Sequence, residues 1–169
     1  MTQKETLNLL EQVSAGELSP QQALLQLKME PFEELGFAKV DHHRGLRQGA
    51  AEVIYGAGKT PEQIRAIAQA MTDRGEKAIL ITRMAAEAAE LVGKSLPLRY
   101  DPLSRVGIVG QMPETDGIGK IVVATGGTSD MPVAEEAALT AEVLGNEVTR
   151  LYDVGVAGLH RLLSHLEEI

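Results

Sequence analysis

Apolar residues recur along this chain in two rhythms, and each predicts a different element. Leu7, Leu10 and Val13 stand at helical spacing with Leu9 beside them, and Gly16 stops the run. Ser19-Pro20 then reads as an N-cap followed by proline at the first helical position. Ala23, Leu24 and Leu27 carry that second short helix toward Pro31. From Phe32 the pattern changes. Ala38, Val40 and His42 alternate with Lys39 and Asp41, which suits a strand. Residues 51–55 read as another strand, with 45–50 as the turn between them. In GAGKTPEQIRAIAQAM, Thr60 is an N-cap, Pro61 the first helical residue, and Gln63 completes a capping box. Ile64, Ile67, Ala68 and Met71 give that helix its buried stripe. Residues 77–82 predict a short apolar strand and 85–92 an alanine-rich helix. Two more strands are expected at 96–100 and 105–109, so strands and helices alternate over about 32–115.

Proline, glycine and acidic residues gather in QMPETDGIGK, residues 111–120, which reads as a linker. Beyond it Ile121 to Ala124 is a continuous apolar run, of the kind that forms a strand buried on both faces. Pro132 to Leu144 predicts a helix rich in alanine, ended by Gly145-Asn146. Val148 to Tyr152 predicts a second strand, and Val156 to Leu166 a second helix. This β-α-β-α order begins a doubly wound parallel sheet. The chain is therefore α/β, in three parts: a helical appendage over 1–31, a small α/β region over 32–115, and an incomplete parallel sheet over 116–169. Two strands rarely make a stable domain. The expectation is that the second sheet needs further chain, another chain or the first region to complete it.

Composition narrows the function classes. The chain has 169 residues, with 44% hydrophobic and 24% charged, as in soluble globular proteins. Its net charge of −8 and the lack of any Lys/Arg block argue against binding a nucleic-acid backbone. There is no cysteine, so disulfides, thiolate metal sites and a cysteine nucleophile are excluded within these residues. No apolar run is long enough to span a bilayer, and MTQKETLNLL lacks a signal-peptide pattern. A cytoplasmic setting is the expectation.

Candidate chemistry sits at the two strand ends. In ATGGTSDMPVAEEA, Gly126 and Gly127 follow the first strand and let a ligand approach the backbone closely. Thr128 and Ser129 add hydroxyls, and Asp130 either caps the next helix or acts on a substrate proton. The helix start favours an anion. The plain alternative is a β-to-α turn with an aspartate cap, where Glu135 and Glu136 merely complement the helix dipole. The second strand runs into YDVGVAGLHRLL. It places Asp153, Gly155 and Gly158 at the same end, with His160 and Arg161 opening the next helix. Histidine shuttles protons near neutral pH and arginine holds phosphate or carboxylate, although His160 equally suits a helix surface. Adjacent strands would bring both sets together. A third cluster, KVDHHRGLRQGAAEVIYGAGKTPEQ, holds His42, His43, Arg44, Arg47 and Lys59. Adjacent histidines on a strand face opposite ways, which makes a poor metal pair. GAGKT lacks the full phosphate-loop pattern because position 53 is valine. The three basic residues still suit a phosphate, against the plainer reading of a packed α/β connection.

These residues resemble a known family. ATGGTSDMPVAEEAALTAEVLGNEVTRLYDVGVAGLHRLL is similar to the core of the LarB proteins, which make the precursor of the nickel-pincer nucleotide cofactor. That core is in turn similar to the PurE-type aminoimidazole ribonucleotide carboxylases. DHHRGLRQGAAEVIYGAGKTPEQI resembles the LarB N-terminal region, which PurE enzymes lack. The resemblance implies a flavodoxin-like second domain and an octameric assembly. It implies a carboxylase and phosphoanhydride hydrolase that takes nicotinic acid adenine dinucleotide and CO2 to pyridinium-3,5-biscarboxylic acid mononucleotide and AMP. Ser129, Asp130 and Asp153 would then be catalytic. Gly126, Gly127, Thr128, Gly155, His160 and Arg161 would bind substrate. No cofactor is demanded by the residues, and Mg2+ is the metal such hydrolysis calls on. Nucleotide substrate and copies of the same chain are the implied partners, with no nucleic acid and no membrane.

One departure from the family is plain. LarB proteins use a late cysteine that adds to the pyridinium ring, and this chain has none. The GLHR segment also sits at a different spacing from its strand than the Ser-Ala-His-Arg segment of PurE enzymes. The expectation is therefore a fragment that holds part of the pocket and does not carboxylate alone. Two alternatives stand beside it: an aminoimidazole ribonucleotide carboxylase of purine synthesis, and a noncatalytic nucleotide-binding or assembly module.

Overall fold

The computed structural model describes residues 3–29, 32–41 and 52–166. Its contacts divide the chain into one compact unit over Met1–Glu52 and another over Val53–Ile169. In the first unit, α1 (Gln3–Ser14) and α2 (Pro20–Met29) pack as a hairpin that buries Leu9 and Ala23. Ser19 and Gln22 form a reciprocal capping box at the start of α2, at 3.2 and 3.0 Å. Two short antiparallel strands follow, β1 (Phe32–Glu34) and β2 (Lys39–Asp41), in register Glu33 to Val40. His42, His43, Arg44 and Arg47 lie outside the described residues.

The second unit begins with β3 (Ile54–Tyr55), shorter than the strand expected from residue 51. Next, α3 (Pro61–Asp73) starts on Thr60 as predicted. The Thr60 hydroxyl accepts from the Gln63 N–H at 3.3 Å, and the Gln63 side chain accepts from the Thr60 N–H at 3.0 Å. Its stripe Ile64, Ile67, Ala68 and Met71 is buried. After β4 (Ala78–Thr82) comes α4 (Ala86–Gly93), then β5 (Leu98–Asp101) and β6 (Val106–Gly110). The four strands lie in the order β3-β4-β6-β5. Only β3 and β4 run parallel; β6 is antiparallel to both β4 and β5. The β5–β6 pairing follows from its short connection, residues 102–105, because a parallel return needs a long crossover. Met84, fully buried, sits at the rim of this sheet. Its carbonyl accepts from the Tyr100 hydroxyl at 3.1 Å, and its N–H donates to the Arg105 carbonyl at 2.8 Å.

A parallel pair completes the unit: β7 (Lys120–Ala124) and β8 (Glu147–Leu151), joined through α5 (Met131–Val143). This is the flavodoxin-like β-α-β start. The helix also serves the first sheet. Leu139 of α5 packs on Leu80 of β4 and on Val106 and Ile108 of β6, with Met112 and Val143 closing the cluster. Two expectations change here. Strand β7 is not buried on both faces: Ile121 is 39% exposed, because too little packs over that side of the strand. And the last helix is short. Val156–Gly158 is a 3-10 turn and α6 covers only Leu159–Leu163. The two glycines of GVAG, between the 3-10 turn and its flanks, weaken a regular helix there. Among the described residues no helix is long and apolar enough to cross a membrane.

Candidate functional site

The carboxyl ends of β7 and β8 are sewn together by one residue. Thr125 is 5% exposed and makes three bonds across the pair. Its N–H donates to the Leu151 carbonyl at 3.0 Å, and its carbonyl accepts from the Val154 N–H at 2.9 Å. Its hydroxyl accepts from the Asp153 N–H at 3.0 Å. The apolar run before it explains why it is buried, and its own bonds explain how a polar residue can be. Asp153 takes a left-handed backbone, φ 60, at this junction. Such a backbone is unusual for a side-chain-bearing residue, and Asp is among those that tolerate it best.

The two glycine turns then meet, as the parallel pairing predicts. Gly155 lies against the Gly126 peptide; a Cβ on Gly155 would collide with the Gly126 carbonyl oxygen and stand 3.1 Å from its carbon. Past Gly127, which is extended, Thr128–Asp130 form a 3-10 turn leading into α5. Thr128, Ser129 and Asp130 are exposed. Asp130 makes no side-chain cap bond to α5, so the simple capping explanation for it does not hold. Its carboxylate is left facing solvent at the end of the parallel pair. On the other turn, Arg161 pairs with Asp153 at 2.7 Å and donates to the Gly155 carbonyl at 3.3 Å. His160 is exposed beside it. Gly126, Gly127, Asp153, Gly155 and Arg161 are thus parts of one rim, with Thr128, Ser129 and Asp130 leading from it into α5.

Behind this rim lies a charged cluster that the sequence pattern did not single out. Arg150 of β8 reaches α5. Its Nε lies 3.1 and 3.0 Å from the two Glu135 oxygens, and its Nη1 bonds Glu142 at 2.5 Å. The Tyr152 hydroxyl donates to Glu135 as well. The Arg150 hydrogen bonds hold the Glu135 carboxyl below the ordinary range, against the opposing effect of burial. Bonds to Glu142 and then Glu135 raise Arg150. Burial, and then the bond to Glu135, pushes the Tyr152 phenol up to about 12. Glu135 therefore does more than complement a helix dipole: it ties α5 to β8. Glu136 likewise turns to Arg83, at 2.8 Å. Arg150 within a β-branched strand, and Tyr152 just beyond its end, were the available signal.

Other candidates fall elsewhere. Lys59 is exposed in the tight turn after β3, where its N–H donates to the Gly56 carbonyl at 3.1 Å. A concavity of about 420 Å³ runs along α5, lined by Arg83, Ile121, Val133, Ala137, Leu144 and Asn146. None of the glycine-turn residues lines it. Among the described residues no three His, Asp or Glu side chains gather as a metal-binding group.

Residues 32–111 match the LarB/PurE-like N-terminal domain. Over 173 aligned residues the chain is 32% identical to the uncharacterized protein MJ0165 of Methanocaldococcus jannaschii, covering 98% of this chain and 68% of that protein.

Proposed function

Because the chain belongs to the LarB family, with its PurE-like carboxylase relationship, we propose that its glycine rim binds nicotinic acid adenine dinucleotide. The reaction served is carboxylation of the pyridinium ring by CO2, with hydrolysis of the phosphoanhydride to release AMP. The observation that carries this reading is the Thr125 junction. It brings Gly126 and Gly155 into contact and puts Asp153 and Arg161 on the same rim as the Thr128–Asp130 turn. Ligands of open α/β sheets bind beyond such strand ends.

Roles follow from the chemistry of each group. Gly126 and Gly127 let the nucleotide approach the backbone. The Thr128 and Ser129 hydroxyls donate to phosphate or carboxylate oxygens, and Arg161 supplies a planar cation for the same anions. Asp130, free of any capping bond, and Asp153 are the groups proposed to take a proton. His160, exposed on α6, borders the ligand. A pyridinium ring repels CO2 until a nucleophile adds to it and makes a neighbouring carbon electron-rich. These 169 residues contain no cysteine. On their own, we propose, they bind the dinucleotide without carboxylating it.

Isothermal titration with the dinucleotide and with aminoimidazole ribonucleotide tests the reading. Binding of the first and not the second is expected. The match over 32–111 favours this over a purine-synthesis carboxylase. A chain that binds neither ligand sinks the proposal and leaves an assembly module. Incorporation of labelled bicarbonate by these residues alone overturns the statement that they do not carboxylate.

A further inference from the structure

The Asp153–Arg161 pair is built unlike an ordinary surface contact. Asp153 is fixed at its backbone, with its N–H on the buried Thr125 hydroxyl at 3.0 Å and φ at 60. Arg161 comes from the other side on a flexible stem. Its Nη1 meets Asp153 Oδ2 at 2.7 Å while its Nη2 donates to the Gly155 carbonyl at 3.3 Å. Gly158 lies beneath the guanidinium, where a Cβ would stand 2.9 Å from Nε. The cation therefore keeps a seat over the second glycine turn even if its carboxylate partner leaves.

The energetics favour exchange. The Asp153 side chain is 48% exposed and that of Arg161 35%. Pairs open to solvent in this way contribute only about 0.2–1 kcal/mol. A phosphate or carboxylate that meets a guanidinium edge with two parallel bonds does better, since such forked contacts are the stronger kind.

We propose that Asp153 and Arg161 form an exchange latch. The Asp153 carboxylate occupies the guanidinium edge, and an anionic ligand group takes its place on binding while Arg161 keeps its bond to Gly155. Entry of the anion then releases the Asp153 carboxylate at the junction of the two glycine turns. The inference rests on the reading of this rim as a nucleotide pocket, and it adds the order of events: Asp153 leaves the guanidinium only when the anion is seated.

Inorganic phosphate is the probe, titrated into the full chain at fixed ionic strength. The Nε–Hε resonance of Arg161 is followed by nitrogen-15 NMR, and binding is measured for wild type, Asp153→Asn, Arg161→Gln and the double variant. Asparagine suits the left-handed backbone at 153 and removes only the charge. Asp153→Gly, which accepts that backbone too, serves as the second variant. Phosphate is expected to shift the Arg161 resonance in wild type. Removing the competing carboxylate is expected to tighten phosphate binding by roughly 1.4- to fivefold, the range that exposed ion pairs allow. That gain disappears when Arg161 is glutamine. An unmoved resonance, or no gain in either 153 variant, overturns the latch. So does an equal gain in the Arg161→Gln background, which is a general effect of charge. If phosphate exchanges and the dinucleotide does not bind, the latch stands and the substrate assignment falls.

Discussion

Gly155 rests its Cα against the peptide of Gly126, and this contact fixes the spacing of the two turns that form the rim. The relationship is one-sided. At Gly155 an added Cβ meets the Gly126 carbonyl, with the carbon at 3.1 Å and the Cα at 3.2 Å. At Gly126 the nearest neighbour of an added Cβ is 4.0 Å away. Backbone conformation does not enter, because Gly155 has φ −59, which alanine adopts freely. Gly155→Ala is therefore a test of crowding alone. It is expected to lower stability by about 1–3 kcal/mol, the usual cost of overpacking. Gly126→Ala is expected to stay within about 0.5 kcal/mol of wild type. Urea unfolding of the two variants measures both, and equal effects would contradict the close approach.

Glu135 gives a pH signature. Its carboxyl is held below the ordinary value of 4.5, first by hydrogen bonds from Arg150. Through the acid range the unfolded chain thus binds more protons at this position than the folded one. The contribution is complete above the ordinary value and drains away as pH falls through the lower folded value. Glu135→Gln removes it. The expected result is an acid limb of stability below pH 4.5 that is shallower than in wild type. Unfolding midpoints over a series of acid buffers measure the slope, and parallel limbs would show that Arg150 does not favour the charged form.

Tyr152 supplies the alkaline counterpart. Burial, aided by its bond to Glu135, raises the phenol from 10.0 to about 12. Its contribution to stability is complete below pH 10 and is lost as pH rises toward the folded value. The chain has three tyrosines. An ultraviolet titration of wild type minus that of Tyr152→Phe should isolate one phenol ionising near pH 12 in the folded protein. A difference curve centred at pH 10 contradicts the burial of that hydroxyl against Glu135.

Much of this architecture is legible from residue pattern alone, because the deciding interactions are local. Thr60-Pro61 and Gln63 announce α3 through their own bonds, and Gly145 ends α5 with φ 81. The two glycine turns fall at strand ends that periodicity already marks. What the pattern hides depends on partners distant in sequence. The Arg150–Glu135 contact spans 15 residues, and the bond from the Asp153 N–H to Thr125 spans 28. Nothing in the run IVVAT marks Thr125 as the stitch between strands. The exposure of β7 is likewise invisible in its apolar sequence, since burial is set by what packs on a strand and not by the strand itself. Similarly, the Asp130 side chain has the composition of a cap and none of the geometry.

Leu139 holds the rim in place, whereas Ser129 and Asp130 stand where a ligand would bind. Leu139 is 2% exposed and joins α5 to Leu80, Val106 and Ile108 of the first sheet. Leu139→Ala leaves a cavity there and is expected to cost about 2–5 kcal/mol. The Thr128–Asp130 turn rides on the start of the same helix, yet its side chains are exposed and Asp130 makes no cap bond. Ser129→Ala and Asp130→Ala should therefore leave the melting temperature within about 1–2 °C of wild type, as solvent-facing substitutions do. Their expected effect is on affinity for nicotinic acid adenine dinucleotide, which should fall about tenfold for each lost charged or phosphate-directed hydrogen bond. Calorimetric melting and isothermal titration on the three variants read the two properties apart. If the two turn variants keep full affinity, the hydroxyls and carboxylate are ornaments of a plain β-to-α connection. If they lose stability in step with affinity, the turn is a structural element of α5 and the rim has no binding role through those side chains.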